Sequence, residues 1–220
     1  MKYVIFDFDG TIGDTQALIV KTLQDTMCKL GLEVKSSEEC SATIGLLLEA
    51  SFVKLYGMSE EESQKCAKTY RAIFDENKHT FVVQPFPHVL ETIRALHQKG
   101  YQLAIASSRS RESLLGYLKQ MQIEECVSSI VAGNDVKQAK PAPDMVFKAL
   151  EDIKEKQTIE DSIEQMLAET LVVGDMPYDV DMGHNAGAKS CAVTYGNATR
   201  EELKNAEYII DDFAELLNIL

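Results

Sequence analysis

Residues 3–15 read YVIFDFDGTIGDT. An apolar run from Tyr3 to Phe6 carries into Asp7 and Asp9, with Phe8 between them and Gly10 and Thr11 behind. On an extended strand, side chains two residues apart leave the same face. Two carboxylates placed this way repel each other unless positive charge lies between them. A strand that closes in an Asp-Gly turn explains the residue types alone. A cation-assisted reaction centre explains the paired charges as well.

Beyond this stretch the spacing turns helical. Asp14 or Thr15 can cap a helix over 16–30, whose Leu18, Ile19, Leu23, Met27 and Leu30 share a face and which Gly31 stops. Residues 45–56 have helical spacing up to Gly57, and SEEE at 59–62 has capping-box form ahead of a long helix through Tyr70, Ile73 and Phe74. No strand is expected between 14 and 80. The pattern changes at Val82–Val83 and QPFPH, and an amphipathic helix over 88–99 ends at Gly100. Short apolar runs then alternate with helices: YQLAIAS (101–107), VSSIVAG (127–133), TLVVGD (170–175), KSCAVTY (189–195) and EYII (207–210).

Strands alternating with helices pair in parallel. The expected fold class is therefore α/β: a doubly wound, Rossmann-like parallel sheet that includes a first strand over 3–8, with an all-helical unit inserted after it. The core comprises 1–13 and 82–220, and the helical unit comprises 14–81. The two junctions, at Gly13–Asp14 and near 80–87, suit a hinge. The charged stretch 151–169 is expected as a solvated helical connection with Ile153, Ile159, Ile163 and Met166 facing inward.

A length of 220 residues with 45% hydrophobic content suffices for a substantial core. The net charge of −13 argues against nucleic acid as a partner, but not against a small phosphorylated metabolite once a divalent cation inverts the local field. Cys28, Cys40, Cys66, Cys126 and Cys191 are scattered without metal-ligand spacing, as in a protein of a reducing compartment. With no membrane span and no leader ahead of the first strand, a cytoplasmic location is expected.

Open parallel sheets bind ligands beyond the carboxyl ends of their strands. Asp7 and Asp9 end the first strand, Ser107 and Ser108 the next, and Asp175 another, with Asp179 one helical turn later. Lys140 lies in the loop AKPAPD. Each has an innocent reading taken singly. Ser107–Ser108 can cap a helix, Lys140 can be a surface lysine, and Asp175 and Asp179 can complement a helix dipole. Arg109 can be a solvated arginine at a helix start, and Asp181 and His184 read as ordinary helix residues. Jointly, four polar features are expected to converge on one sheet edge.

In this order and setting, DFDGT (7–11), the strand ending in Ser107, KPAPD (140–144) and GDMPYD (174–179) resemble the motifs of the haloacid dehalogenase-like hydrolase superfamily. The likeness is to its phosphoglycolate phosphatase-like members, in which a helical cap follows the first motif. It spans nearly the whole chain. The resemblance implies a Mg²⁺-dependent phosphatase that hydrolyses a small phosphate monoester through an aspartyl-phosphate. It implies Asp7 as nucleophile and Asp9 as general acid and base. The metal would be held by Asp7, the Asp9 backbone carbonyl and Asp175, with Asp179 in support. Gly10, Thr11, Ser107, Ser108 and Lys140 would bind phosphate, and Arg109 is a candidate substrate contact. Dehalogenases and phosphonatases of this type lack an aspartate at the position of Asp9. Sugar-phosphate mutases, pyrophosphatases and nucleotidases of the superfamily keep it and remain alternatives. A non-catalytic binding protein would be expected to have lost a catalytic aspartate or the lysine. The loop ATIGLLLEASF (42–52) holds no Lys or Arg, Lys54 coming only afterwards, which favours a small monophosphate. The proline usual in that loop is absent, Gly45 being followed by Leu46 and Leu47.

Overall fold

The computed structural model describes residues 1–220. The chain opens with β1 (Tyr3–Phe6) and a two-residue strand, β2 (Gly13–Asp14). Four helices come next: α1 (Gln16–Leu30), α2 (Ser37–Ser41), α3 (Leu48–Tyr56) and α4 (Glu60–Asn77). After β3 (Gln84–Pro85) come α5 (Val89–Gln98), β4 (Gln102–Ser107), α6 (Arg111–Gln120) and β5 (Ser129–Ala132). The remainder runs through α7 (Asp144–Gln157), α8 (Ile163–Ala168), β6 (Thr170–Gly174) and α9 (Pro177–Ala186). It closes with β7 (Lys189–Val193), β8 (Tyr208–Ile210) and α10 (Leu216–Ile219).

Six strands form one parallel sheet in the order β5-β4-β1-β6-β7-β8. The alternation along β1 explains why it sits in the middle. Val4 and Phe6 join an apolar cluster with Val89, Ile93 and Leu96 of α5 and with Leu114 and Leu118 of α6. Tyr3 and Ile5 face the other way, onto Met145, Val146, Ala149, Leu150 and Ile153 of α7. With both faces covered, the strand must be apolar throughout, as YVIF is. β1 lies between β4 and β6, in register at Val4 with Leu103 on one side and Leu171 on the other. The strand order reverses there, so the carboxyl ends of β4, β1 and β6 open onto one crevice. Ser107, Asp7 and Asp175 stand at those ends.

The four helices between β2 and β3 have their own apolar cluster, with Val20, Leu23, Met27, Cys40, Phe52, Cys66 and Tyr70 buried together. The capping box at Ser59 and Glu62 forms as its sequence requires. The two connections to the sheet pair with each other, Gly13 with Pro85 and Asp14 with Gln84. Two residues are too few to show a strand period, so this ribbon is invisible in the sequence. Two expected boundaries move. The first strand ends at Phe6 rather than 8: the Asp7 N–H still donates to the Val173 carbonyl at 2.8 Å, but from Phe8 onward the chain leaves the sheet for the turn at Gly10. The helix expected from 45 begins at Leu48, because residues 42–46 run as turns against the core. In 151–169 Ile153 of α7 and Met166 of α8 are fully buried, and Ile163 of α8 and Ile159, in the connection between the two helices, pack against the same cluster. No helix is long and apolar enough to cross a membrane.

Candidate active site

Asp7, just past β1, is 2% exposed, and Lys140 donates one hydrogen bond to its Oδ1. The same ammonium donates to Asp179 Oδ1 at 2.7 Å, and Asp179 Oδ2 accepts the Met176 N–H at 3.1 Å. Lys140 is thus a buried cation held between the carboxylate that follows β1 and one in the first turn of α9, not a surface lysine. Asp7 Oδ2 is the one buried side-chain polar atom with no hydrogen-bond partner. Such an atom costs about 1–3 kcal/mol unless something binds it.

Asp175 follows β6 and is fully buried. Its Oδ1 accepts the Thr11 hydroxyl at 3.2 Å, and its Oδ2 accepts both the Asn197 N–H and the Asn197 side-chain amide at 2.7 Å. Gly10 has φ +83, and a Cβ there would stand 2.2 Å from Asp175 Oδ2. Only glycine gives both the turn and the close approach. The Gly10 N–H is used within that turn, donating to the Gly13 carbonyl at 3.0 Å. Gly10 and Thr11 therefore support Asp175 and the turn, and the Gly10 amide does not face an open phosphate site.

Oxygens of Asp7, Asp175 and Asp179 lie within 4.8 Å of one another. Three carboxylates face one ammonium, and the imbalance shows in their acidities. Burial pushes the Asp7 carboxyl well above its ordinary range; Lys140 opposes that, and Asp179 and Asp175 add repulsion. Burial and then Asp179 raise Asp175 to about 7, against the bonds from Asn197. Burial works against the Lys140 charge, yet Asp179 and Asp7 hold its acidity constant above the usual lysine value. An all-oxygen donor set with surplus negative charge and an orphaned oxygen fits a hard divalent cation.

Asp9 stands apart from this cluster. Arg109 Nε donates to both of its oxygens, at 2.7 and 2.8 Å, and Thr15 donates to Oδ1 at 2.6 Å. The expectation of a solvated Arg109 is overturned, since the side chains of Arg109 and Asp9 are each 9% exposed. Ser110, not Ser107 or Ser108, caps α6. Ser107 is buried and accepts the Arg109 N–H at 3.4 Å, which leaves its own hydroxyl free to donate. Ser108 donates to the Gly45 carbonyl at 2.6 Å and so holds the 42–47 turns over the sheet edge. Lys54 reaches the same mouth, donating to the Ala42 carbonyl at 2.9 Å and to the Tyr178 hydroxyl at 2.5 Å. A cation absent from the loop in sequence is thus returned to it by α3.

The structure brings Asp7, Lys140, Asp175 and Asp179 into contact and sets Ser107 and the Asp9–Arg109 pair beside them. Asp181 is exposed, and His184 binds Glu207 at 3.0 Å. Asn197 and Thr15 escaped the sequence reading. Asn197 could have been noticed in YGNAT, which comes after the strand KSCAV at the same sheet edge. Thr15 has the look of a helix cap, but its hydroxyl serves Asp9 instead.

The profile of the haloacid dehalogenase-like hydrolase family matches residues 4–193. The chain is 31% identical over 220 residues to Pyrophosphatase PpaX of Bacillus mycoides, covering 99% of this chain and 95% of that one. It superposes on the crystal structure of a predicted phosphatase from Clostridium acetobutylicum with a TM-score of 0.84 at 26% identity, covering 99% of this chain and 97% of the other. A predicted phosphoglycolate phosphatase from Haemophilus somnus shares the fold, with a TM-score of 0.80 at 22% identity and coverage of 100% and 97%. The chain belongs to the haloacid dehalogenase-like hydrolase family.

Proposed function

We propose that the chain is a Mg²⁺-dependent phosphatase that hydrolyses a small phosphate monoester through an aspartyl-phosphate on Asp7. One observation carries this reading. The buried Asp7 carboxylate is held on one oxygen by Lys140 and left without a protein partner on the other, beside Asp175 and Asp179. Asp7, Asp175 and the Asp9 backbone carbonyl would hold the cation, with Asp179 in support. Bound there, a divalent cation relieves the repulsion between a carboxylate and an anionic phosphoryl group.

In the first step an Asp7 oxygen attacks phosphorus in line with the ester oxygen. The bond from phosphorus to that oxygen breaks, and Asp9 gives a proton to the departing alkoxide. In the second, Asp9 takes a proton from water as the water oxygen attacks phosphorus. The bond to Asp7 then breaks, releasing phosphate and restoring the carboxylate. The Ser107 hydroxyl and Lys140 ammonium bind phosphoryl oxygens where charge accumulates, and Asp179 keeps Lys140 in place. Residues 14–81 act as a cap hinged at the β2–β3 ribbon, and the 42–47 turns exclude water when seated on Ser108.

A phosphoanhydride substrate is a second reading, favoured by the position of Lys54. Its ammonium sits at the mouth on neutral oxygens, where a second phosphoryl group could be met. The PpaX relatives carry the name pyrophosphatase. Phosphate release from phosphoglycolate, sugar phosphates, nucleotides and pyrophosphate, with and without Mg²⁺, tests both readings. Mg²⁺-dependent turnover that Asp7→Asn abolishes supports the proposal, and the preferred compound chooses between the two. Absence of turnover across the panel would overturn it in favour of a binding role.

A further inference from the structure

Arg109 is held on several sides. Besides its two bonds to Asp9, its Nη1 donates to Ser113 Oγ at 3.1 Å. Its guanidinium carbon lies 5.1 Å from the ring centre of Tyr117, 5.4 Å from Phe74 and 5.8 Å from Phe8. A planar cation packed among three rings has little freedom to turn, so the directions of its N–H groups are fixed by its surroundings. A carboxylate bonded through both oxygens to such a group takes its position from it. Burial disfavours the Arg109 charge, but Asp9, with Tyr117 and Tyr70 beside it, holds its acidity constant above the ordinary arginine value.

The clamp has two origins in the chain. Tyr117 and Ser113 lie on α6 and Phe8 comes just after β1, whereas Phe74 lies on α4 and Thr15 immediately precedes α1. Both the sheet and the inserted helices therefore fix where the Asp9 carboxylate stands.

We infer that Arg109 is a positioning residue for Asp9: it sets the place of that carboxylate and acts on the reaction through it, without touching the substrate. The inference rests on Asp9 being the acid and base of phosphate-ester hydrolysis. Protonation of the leaving oxygen matters for an alkyl phosphate, whose alkoxide is a poor leaving group, and far less for para-nitrophenyl phosphate. The quotient kcat/KM covers only the steps up to phosphoryl transfer to Asp7 and so separates this protonation from the later attack of water, and loss of Arg109 must show the same selectivity in it.

Steady-state kinetics with these two esters, on wild type, Asp9→Asn, Arg109→Gln, Arg109→Lys and the double variant Asp9→Asn/Arg109→Gln, test it. Asp9→Asn is expected to lower kcat for the alkyl ester by at least about a hundredfold. Arg109→Gln is expected to lower it by about tenfold to a hundredfold, the scale of a misplaced catalytic group, with KM nearly unchanged and a smaller loss of kcat/KM on the aryl ester. Arg109→Lys keeps the charge and should recover part of the loss. The double variant should match Asp9→Asn within about twofold, because the second change has nothing left to act through. It also lacks the unpaired buried carboxylate, so it reports even where Arg109→Gln fails to fold. A raised KM at unchanged kcat would make Arg109 a substrate contact and overturn the inference. Equal losses of kcat/KM on both esters, or additive losses in the double variant, would overturn it too. Full activity in Asp9→Asn would instead remove the acid–base reading on which it stands.

Discussion

Lys140 stands 133 residues along the chain from Asp7, yet its ammonium binds Asp7 Oδ1 and Asp179 Oδ1 together. The charge of one residue thus compensates the end of β1 and the first turn of α9. Lys140→Met leaves three buried carboxylates with no cation among them. Breaking a buried pair by removing one partner costs about 3–5 kcal/mol. Denaturant unfolding of the metal-free variant should show a loss of that order, partly recovered when Mg²⁺ is added. Turnover should stay low even with Mg²⁺, by about a hundredfold to a thousandfold.

Gly174 ends β6 directly beneath Asp179, and a Cβ on it would stand 2.2 Å from Asp179 Cβ. Gly174→Ala must push Asp179 off Lys140 or shift β6 itself. A loss of about 1–3 kcal/mol is expected from overpacking. A fall in kcat should accompany it, because Asp179 anchors the lysine. Urea midpoints and turnover measured on the same preparation check both.

Mg²⁺ should raise the unfolding temperature, since a ligand that binds only the folded chain stabilises it. Asp175→Asn should abolish most of that rise. Protons compete with the cation for the same oxygens. Asp175 is raised to about 7 and Asp7 is raised as well, so Mg²⁺ affinity should fall as pH drops through about 7. Titration calorimetry across that range would show it.

Far from the cluster, Glu207 accepts the Ser190 N–H and hydroxyl, each at 2.7 Å, and meets His184 at 3.0 Å. Partial burial works against its charge, but these bonds prevail and hold it at about 2, below the ordinary 4.5. A depressed carboxylate stabilises the fold above its unfolded value and loses that contribution as pH falls through its folded value. The stability gap between wild type and Glu207→Gln should therefore be full above pH 4.5 and shrink towards zero near pH 2.

The sheet was legible because its strands are short apolar runs broken by helical spacing, and the site because polar residues end those runs. YVIF, LAIA and LVVG lie in β1, β4 and β6, and the crevice opens just past the end of each strand. The β2–β3 ribbon was illegible because a pairing of two residues has no period. The Arg109–Asp9 pair was illegible for another reason. A long side chain beside a helix start has water as its default partner, and only the rings of Phe8, Phe74 and Tyr117, brought together by the fold, turn it inward. Lys54 follows that loop along the chain, and only the path of α3 shows that its ammonium reaches the Ala42 carbonyl.

Hydrolysis by this route requires that Asp7 carry the phosphoryl group between the two steps. Turnover with a phosphate-labelled substrate and Mg²⁺, quenched in acid within one catalytic cycle and followed by peptide mapping, traps that adduct. The label is expected on the peptide holding residues 3–15, lost on treatment with hydroxylamine and absent from Asp7→Asn. Phosphate released at the same rate while that peptide remains unlabelled would contradict it.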